Sequence, residues 1–411
     1  MSELPEREKS TTLFIVFTVM LDAMGIGLVL PVMPELLRNI TDMNMADAAF
    51  IGGLMTFTYA SMQFLLGPLL GNLSDAYGRR PVLILSLVCM GLDYFLIAWA
   101  PTLTILFIAR IISGASGATY STAAAYLSDT SAKGDRSANF GYIGGAFGIG
   151  FILGPALGGL IAEYGVRMPF VVAGGLALIN AAFGFFVLPE TLTKAQRRPF
   201  KFKRSNPFSA LLRIRRLTAV SNLMIVTFLM AIATNVYAVI WSFFTIERFG
   251  WAISTVGWSL ALYGFFAALV QAILLKWLIA KIGVIKTIIF GFIISILSFF
   301  WLTFVESSLL IFIGIPIAAL GSLSGPALQG LMADEVTGSE QGELQGIFAS
   351  VVALSTIVSP LIMNSTFKLF SDPDAHFYQP GAPFMVAAAL MTLAAYLFFK
   401  NQYGTTSLVK K

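Results

Sequence analysis

Twelve apolar stretches dominate the sequence, at 12–37, 47–72, 81–100, 103–128, 137–163, 168–188, 218–246, 252–280, 286–305, 308–333, 342–369 and 382–400. Each is long enough to span about 30 Å of hydrocarbon, which takes roughly 17–25 helical residues. Lipid offers no hydrogen-bond partners, so a backbone crossing it in segments this long must be helical. Composition agrees: 57% of the 411 residues are hydrophobic and 11% charged, against about 25% charged in soluble domains. The expected fold is therefore all-α and integral to a membrane, with twelve spans. Several stretches exceed a bilayer's thickness, which calls for tilt or kinks. Pro31, Pro68, Pro155, Pro316 and Pro360 are the expected break points. The first apolar run lacks a signal-peptide cleavage pattern and is expected to stay. The single cysteine, Cys89, rules out an internal disulfide and a cysteine metal cluster.

Lysine and arginine placement sets an orientation through the positive-inside rule. Twenty of the 26 fall in one alternating set of connections: Arg7, Lys9, Arg79, Arg80, Lys133, Arg136, nine from Lys194 to Arg216, Lys281, Lys286, Lys400, Lys410 and Lys411. Four, Arg38, Arg167, Arg248 and Lys368, fall in the other set. Both termini and the central segment 189–217 are thus expected in the cytoplasm. That segment, with KAQRRPFKFKRSN and LLRIRR, is too short for a domain. It reads as a basic linker enforcing orientation, with contact to anionic headgroups as a further use. It separates an expected six-helix half, 1–188, from a second, 218–411.

The halves repeat. At an offset of 205, Leu69, Leu70, Leu73 and Gly78 fall on Leu274, Leu275, Leu278 and Gly283. At the same offset Asp129 falls on Asp334, and Gly141 and Pro155 fall on Gly346 and Pro360.

Charge is scarce, so its position is informative. Between spans 2 and 3, GNLSDAYGRRP (Gly71–Pro81) packs Asp75, Gly78, Arg79 and Arg80 together and reads as a short loop at the membrane surface. It is either an ordinary positive-inside turn or a conformational latch between two helices. Asp22, Asp93 and Arg110 lie deep within spans, where a charge costs at least about 2.5–3.5 kcal/mol on insertion scales. Each is a candidate functional group; the alternative is a static, hydrogen-bonded acid or counter-ion. A carboxylate whose surroundings alternate between apolar burial and an arginine's field takes up and releases a proton. Span 5 carries Gly144, Gly148, Gly154 and Gly158 at helical spacing, which permits close helix approach, and Pro155, which kinks it. Gln63, Asn180, Asn235, Gln271 and Gln329, with Tyr59, Tyr120, Tyr237 and Trp241, are candidates to line a cavity for an amphiphilic, partly planar solute. Each alternatively bonds a neighbouring helix. A phosphate substrate would need more cavity cations than Arg110 alone. No phosphate loop, nucleophile–histidine pair or metal-ligand spacing marks an enzyme.

Six spans repeated as six more is a major facilitator arrangement, with the substrate site between the halves. The motifs narrow this further. LDAMGIGLVLPVMPELL, GNLSDAYGRRPVL, LDYFLIA, ARIISGASGAT, the span 5 Gly-Pro motif, RFGW and GPALQGLMADEVTGSEQGELQG together resemble the Tet branch of the major facilitator superfamily. These are drug–proton antiporters that include tetracycline exporters. The resemblance implies that Asp22 and Asp93 serve transport or proton coupling and that Arg110 supports proton transfer. It also implies that Asp75, Arg79 and Asp129, turned by Gly78, form an inner-face charge network. The repeat leaves Ala280 where Asp75 stands, so the latch is expected in the first half alone. Gln63, Tyr120, Asn235, Trp241, Gln271 and Gln329 would line the cavity. A monomer in a bacterial-type inner membrane is implied, driven by the proton gradient without a cofactor and binding no nucleic acid. Two positions depart from the branch: Ser295 stands where an acidic residue is usual, and Ala267 where a histidine often stands. An exporter of an endogenous metabolite or siderophore, or a proton-symport importer, fits the same fold.

Overall fold

A computed structural model describes residues 4–117, 119–130, 136–209, 212, 220–337 and 340–404. Lys133 and most of the linker beyond Ser209, including the expected boundary at 217, lie outside these residues. The helices are α1 (Leu4–Val29), α2 (Met33–Thr41), α3 (Met45–Tyr77), α4 (Arg79–Ala98), α5 (Leu103–Ser116), α6 (Thr119–Thr130), α7 (Arg136–Ala162) and α8 (Met168–Val187). After the linker come α9 (Ser221–Thr234), α10 (Val236–Phe249), α11 (Ile253–Leu269), α12 (Leu275–Ile282), α13 (Val284–Phe304), α14 (Ser308–Ala319), α15 (Ser324–Asp334), α16 (Gln341–Ser371) and α17 (Ala382–Gly404). Among the described residues there is no strand, and twelve helical stretches are long and apolar enough to cross a membrane. Their outer faces display large apolar side chains such as Leu85, Leu92, Phe186, Leu297 and Leu309, which suits lipid rather than water.

Most helix breaks are not at the prolines. Pro31 does end α1, so the expected stretch 12–37 becomes α1, a turn and the short α2. Pro68, Pro155, Pro316 and Pro360 instead lie inside α3, α7, α14 and α16. Neighbouring helices and side chains re-satisfy the backbone groups that a proline frees, so the helix continues. The interruptions fall at Gly117, between α5 and α6, and at Asn235, between α9 and α10. A π turn at Val270–Leu274 joins α11 to α12, and a 3-10 turn at Leu320–Leu323 joins α14 to α15.

The repeat survives in the backbone. Gly78 (φ 115°, ψ 155°) precedes α4, and Gly283 (φ 86°, ψ 160°) precedes α13. Pro68 falls, at the same offset of 205, on Ile273 within the π turn.

Packing forms two compact units. The first takes the described residues of Met1–Asp42, Thr58–Pro207 and Ala252–Ala261. In its core Phe14, Ile15 and Val19 of α1 meet Leu83 of α4, Tyr126 and Leu127 of α6 and Ile143 of α7. Gly257 of α11 lies against the Pro155 carbonyl of α7. The second unit takes Met43–Phe57, Phe208–Trp251 and Leu262–Lys411. There Gly53 of α3 lets Asn364 of α16 approach so closely that a Cβ would sit 2.6 Å from its side chain. Small residues at these contacts replace side-chain volume with backbone proximity, the usual means of packing helices in lipid.

Candidate functional site

The expected loop at Gly71–Pro81 is one residue long. α3 continues past Asp75 to Tyr77, Gly78 alone leaves the helix, and Arg79 opens α4. A reversal this tight requires a positive φ, which glycine adopts without a Cβ penalty. Its effect is to bring the end of α3 and the start of α4 into register. Arg79 Nη1 lies 2.6 Å from Asp75 Oδ1 and donates to Ser74 Oγ at 3.0 Å. Its Nε donates to Asp129 Oδ2 of α6, also at 3.0 Å. One guanidinium therefore joins three helices through a fork that lysine cannot reproduce. A cavity of about 240 Å³ beside it is lined by Asp75, Arg79, Asp129, Leu192, Gln196 and Arg198. Part of the linker is thus folded onto this cluster, which its basic composition did not suggest. Arg80 turns away, its Nη2 donating to the Phe185 carbonyl and its guanidinium lying 5.4 Å from that ring.

A second cluster lies within the spans of the same unit. Asp93 of α4 is buried, and Arg110 Nη2 of α5 lies 3.6 Å from its Oδ2. Ser113, one helical turn beyond Arg110, donates its hydroxyl to that same oxygen. Asp93 Oδ1 and Arg110 Nε are buried without a hydrogen-bond partner among the described residues. The Arg110 guanidinium lies 5.8 Å from the Tyr59 ring. Tyr94 sets its hydroxyl against Gly25 of α1, 2.6 Å from where a Cβ would be and three residues after the buried Asp22. Two carboxylates, one guanidinium and two phenols thus share a buried region. Such a set can hold a proton at either carboxylate and shift it as the arginine's distance changes. Tyr94 and Ser113 were not singled out from the sequence; their signals are adjacency to Asp93 and i+3 spacing from Arg110.

The glycine face of α7 differs from the expected stripe. Cβ atoms added at Gly154 and Gly158 would lie 2.5 Å from the carbonyl oxygens of Met24 and Leu28 in α1. Gly150 joins them, set against Met20. Among the described residues, nothing lies within 4 Å of a Cβ at Gly144 or Gly148, because the face toward α1 follows positions 150, 154 and 158. Pro155 sits among these contacts, close to Gly27.

The polar and aromatic candidates separate. Gln63 donates to the Gly117 carbonyl at 3.2 Å and to Tyr59 Oη at 3.3 Å, bracing the break between α5 and α6. Tyr120 is exposed, edge-on to Phe147. Asn180 is buried and bonds Thr18 of α1 at 3.2 Å, so it joins two helices instead of facing a cavity. In the second unit, Asn235 caps the end of α9, its amide donating to the Ala231 carbonyl at 3.0 Å. Trp241 is buried among Tyr237, Phe244 and Phe384. Tyr237 packs in turn on Tyr263 and Phe299. Gln271 lies exposed in the π turn, and Gln329 donates to Gln345 at 2.9 Å.

The sequence profile of the Major Facilitator Superfamily matches residues 15–230 and 223–410. The chain is 37% identical over 361 residues to the class C tetracycline resistance protein of Escherichia coli, covering 88% of this chain and 90% of that one. It is 28% identical over 396 residues to multidrug resistance protein 2 of Bacillus subtilis, covering 93% of each. The crystal structure of the human organic anion transporter MFSD10 superimposes with a TM-score of 0.68 at 24% identity, covering 95% of this chain and 99% of that one. This chain therefore belongs to the Major Facilitator Superfamily, beside the tetracycline resistance proteins: it is a multi-pass membrane transporter and not an enzyme.

Proposed function

We propose that this protein exports a small amphiphilic compound, a tetracycline or another drug, in exchange for protons. The observation that carries the reading is the buried cluster of Asp22, Asp93 and Arg110 with Tyr59 and Tyr94, in a chain similar to tetracycline resistance proteins. Proton uptake at Asp22 and Asp93 drives each cycle by alternating access, with Arg110 as their counter-charge. Arg79 with Asp75 and Asp129 holds one of the alternating states. The six-helix halves 1–188 and 218–411 are the moving bodies and the segment between them a tether. The protein works as a monomer in a bacterial inner membrane, with both termini in the cytoplasm and the proton gradient as its energy source. Ser295 of α13, which is buried, and Ala267 of α11 replace branch residues; the substrate range therefore extends beyond tetracycline to other amphiphiles, including a metabolite made by the cell.

The test is expression in an efflux-deficient bacterium challenged with a panel of drugs that includes tetracyclines. Resistance to at least one compound, with accumulation in everted vesicles that a protonophore collapses, is expected. Accumulation unaffected by the protonophore removes the proton from the mechanism. Sensitivity to every compound, with the protein present in the membrane, turns the assignment to an endogenous substrate.

A further inference from the structure

We propose that Glu190 is the positioning residue of the Arg79 cluster and that it locks the linker segment 189–205 to it. α4 begins at Arg79 with a glycine as its N-cap and no side-chain cap of its own. A helix start leaves its first N–H groups without acceptors and favours negative charge. The missing acceptor comes from 111 residues away: Glu190 Oε1 accepts the Arg79 N–H at 2.9 Å. The same oxygen accepts the N–H groups of Thr191 at 3.0 Å and Leu192 at 3.1 Å. One atom therefore fixes both the first residue of α4 and the direction in which the linker leaves.

The carboxylate occupies space that only glycine leaves open. A Cβ at Gly78 would lie 2.7 Å from Glu190 Cδ and closer still to Oε2. Oε2 also faces Arg197 Nη2 at 4.0 Å. The linker is tied down on either side of this clamp. Tyr126 of α6 donates to the Pro189 carbonyl at 2.7 Å, and Arg198 N–H donates to the Asp75 carbonyl at 3.1 Å. Asn72 of α3 donates to the Lys201 carbonyl at 2.9 Å and to Ser205 Oγ at 3.1 Å. Arg79 carries a long side chain that must be held in one geometry to reach Asp75 and Asp129 together. Fixing its main-chain nitrogen removes one freedom from that requirement. The repeat supplies an internal control: Gly283 turns the chain the same way, yet among the described residues nothing lies within 4 Å of where its Cβ would be. The carboxylate against the turn thus accompanies the copy that carries Asp75 and Arg79, and not the copy where Ala280 and Val284 stand.

The inference rests on the export reading only for its transport readout, so the experiment has two arms. In the first, detergent-purified protein is digested with trypsin, and cleavage after Lys194 and Arg197 is timed by mass spectrometry. Glu190→Ala is expected to be cut at least fivefold faster than wild type. Glu190→Gln, which keeps an amide oxygen to accept the three N–H groups, is expected within twofold of wild type. In the second arm, tetracycline uptake is measured in everted vesicles. Glu190→Ala is expected to lower Vmax five- to tenfold with KM within twofold, and Glu190→Gln to restore at least half. Glu190→Ala combined with Arg79→Ala is expected to be no slower than Arg79→Ala alone. If Glu190→Ala fails to reach the membrane, Glu190→Asp replaces it, keeping the charge but falling one methylene short of the Arg79 N–H. Unchanged cleavage, or a double variant whose losses multiply, overturns the proposal. Wild-type vesicles that move no tetracycline count against that substrate, while the tryptic arm still decides Glu190.

Discussion

Arg79→Ala removes a guanidinium that joins α3, α4 and α6, and the structure sets the size of the effect. Two ion pairs are lost, to Asp75 at 2.6 Å and to Asp129 at 3.0 Å, with the bond to Ser74. The arginine side chain is 13% exposed, and the two carboxylates are 34% and 29% exposed. Water therefore screens the acids, and each pair contributes only about 0.5–1 kcal/mol. Adding the partly exposed bond to Ser74, about 0.5–1 kcal/mol, brings the cluster to roughly 2 kcal/mol. If the cluster is made in one transport state and broken in the other, its loss shifts their equilibrium by that differential and no more. Two kcal/mol corresponds to about thirtyfold in population. Initial rates of tetracycline uptake into everted vesicles, normalised to immunoblotted protein, should fall at least tenfold in Arg79→Ala. Asp75→Asn and Asp129→Asn each remove one pair and should cost about three- to fivefold. Arg79→Lys, which keeps the charge but not the fork, should lie between. Uptake above half the wild-type rate in Arg79→Ala, at equal protein, would falsify the idea that these pairs distinguish two working states.

Three further outcomes follow from other parts of the molecule. Asp22→Asn and Asp93→Asn should each abolish uptake driven by a pH gradient while leaving protein levels intact; full pH-driven uptake in either variant contradicts a coupling role for that carboxylate. Gly154→Val places a side chain 2.5 Å from the Met24 carbonyl and should cost roughly 1–3 kcal/mol through overpacking, seen as a collapse in monodisperse yield, whereas Gly148→Ala should express normally. Trp241→Ala, within the cluster of Tyr237, Phe244 and Phe384, should lose about 3–5 kcal/mol of stability and lower the melting temperature in detergent; a raised KM with unchanged melting would return Trp241 to the substrate site.

Span number was readable from the sequence because hydrocarbon thickness leaves few alternatives for an apolar run of this length. Break positions were not. A proline's lost hydrogen bond is visible in sequence, but the neighbour that restores it is not, so the sequence does not show that the helices continue through Pro68, Pro155, Pro316 and Pro360. The same limit applies to α7: glycine spacing suggested a stripe, while the position of α1 decided that Gly150 belongs to it and Gly144 does not. Trp241 illustrates a related ambiguity, since an aromatic in a span packs equally well on a ligand or on other rings. Asp75 and Arg79 sit four residues apart and were easily paired. Glu190 acts on a main-chain N–H, which every residue but proline possesses, so no side-chain pattern could announce it.

The two glycine turns separate what the backbone needs from what the charges do. Gly78 and Gly283 take similar conformations, φ 115° and 86°, and each precedes a membrane helix. Alanine at Gly283 would meet no atom of the described residues within 4 Å, so its cost is backbone strain alone, about 1–3 kcal/mol. Alanine at Gly78 adds a collision with the Glu190 carboxylate, whose withdrawal frees the N–H groups of Arg79, Thr191 and Leu192. Both variants should therefore melt at lower temperature in detergent, Gly78→Ala by the larger amount. Only Gly78→Ala should also lose most of its uptake rate and expose Lys194 and Arg197 to trypsin. Equal losses of uptake in the two variants would mean that the turn itself, common to both halves, is what transport requires. In that case the charges around Gly78 would be incidental to the turn, and the copy at Gly283, with Ala280 and Val284 in place of Asp75 and Arg79, would be its sufficient form.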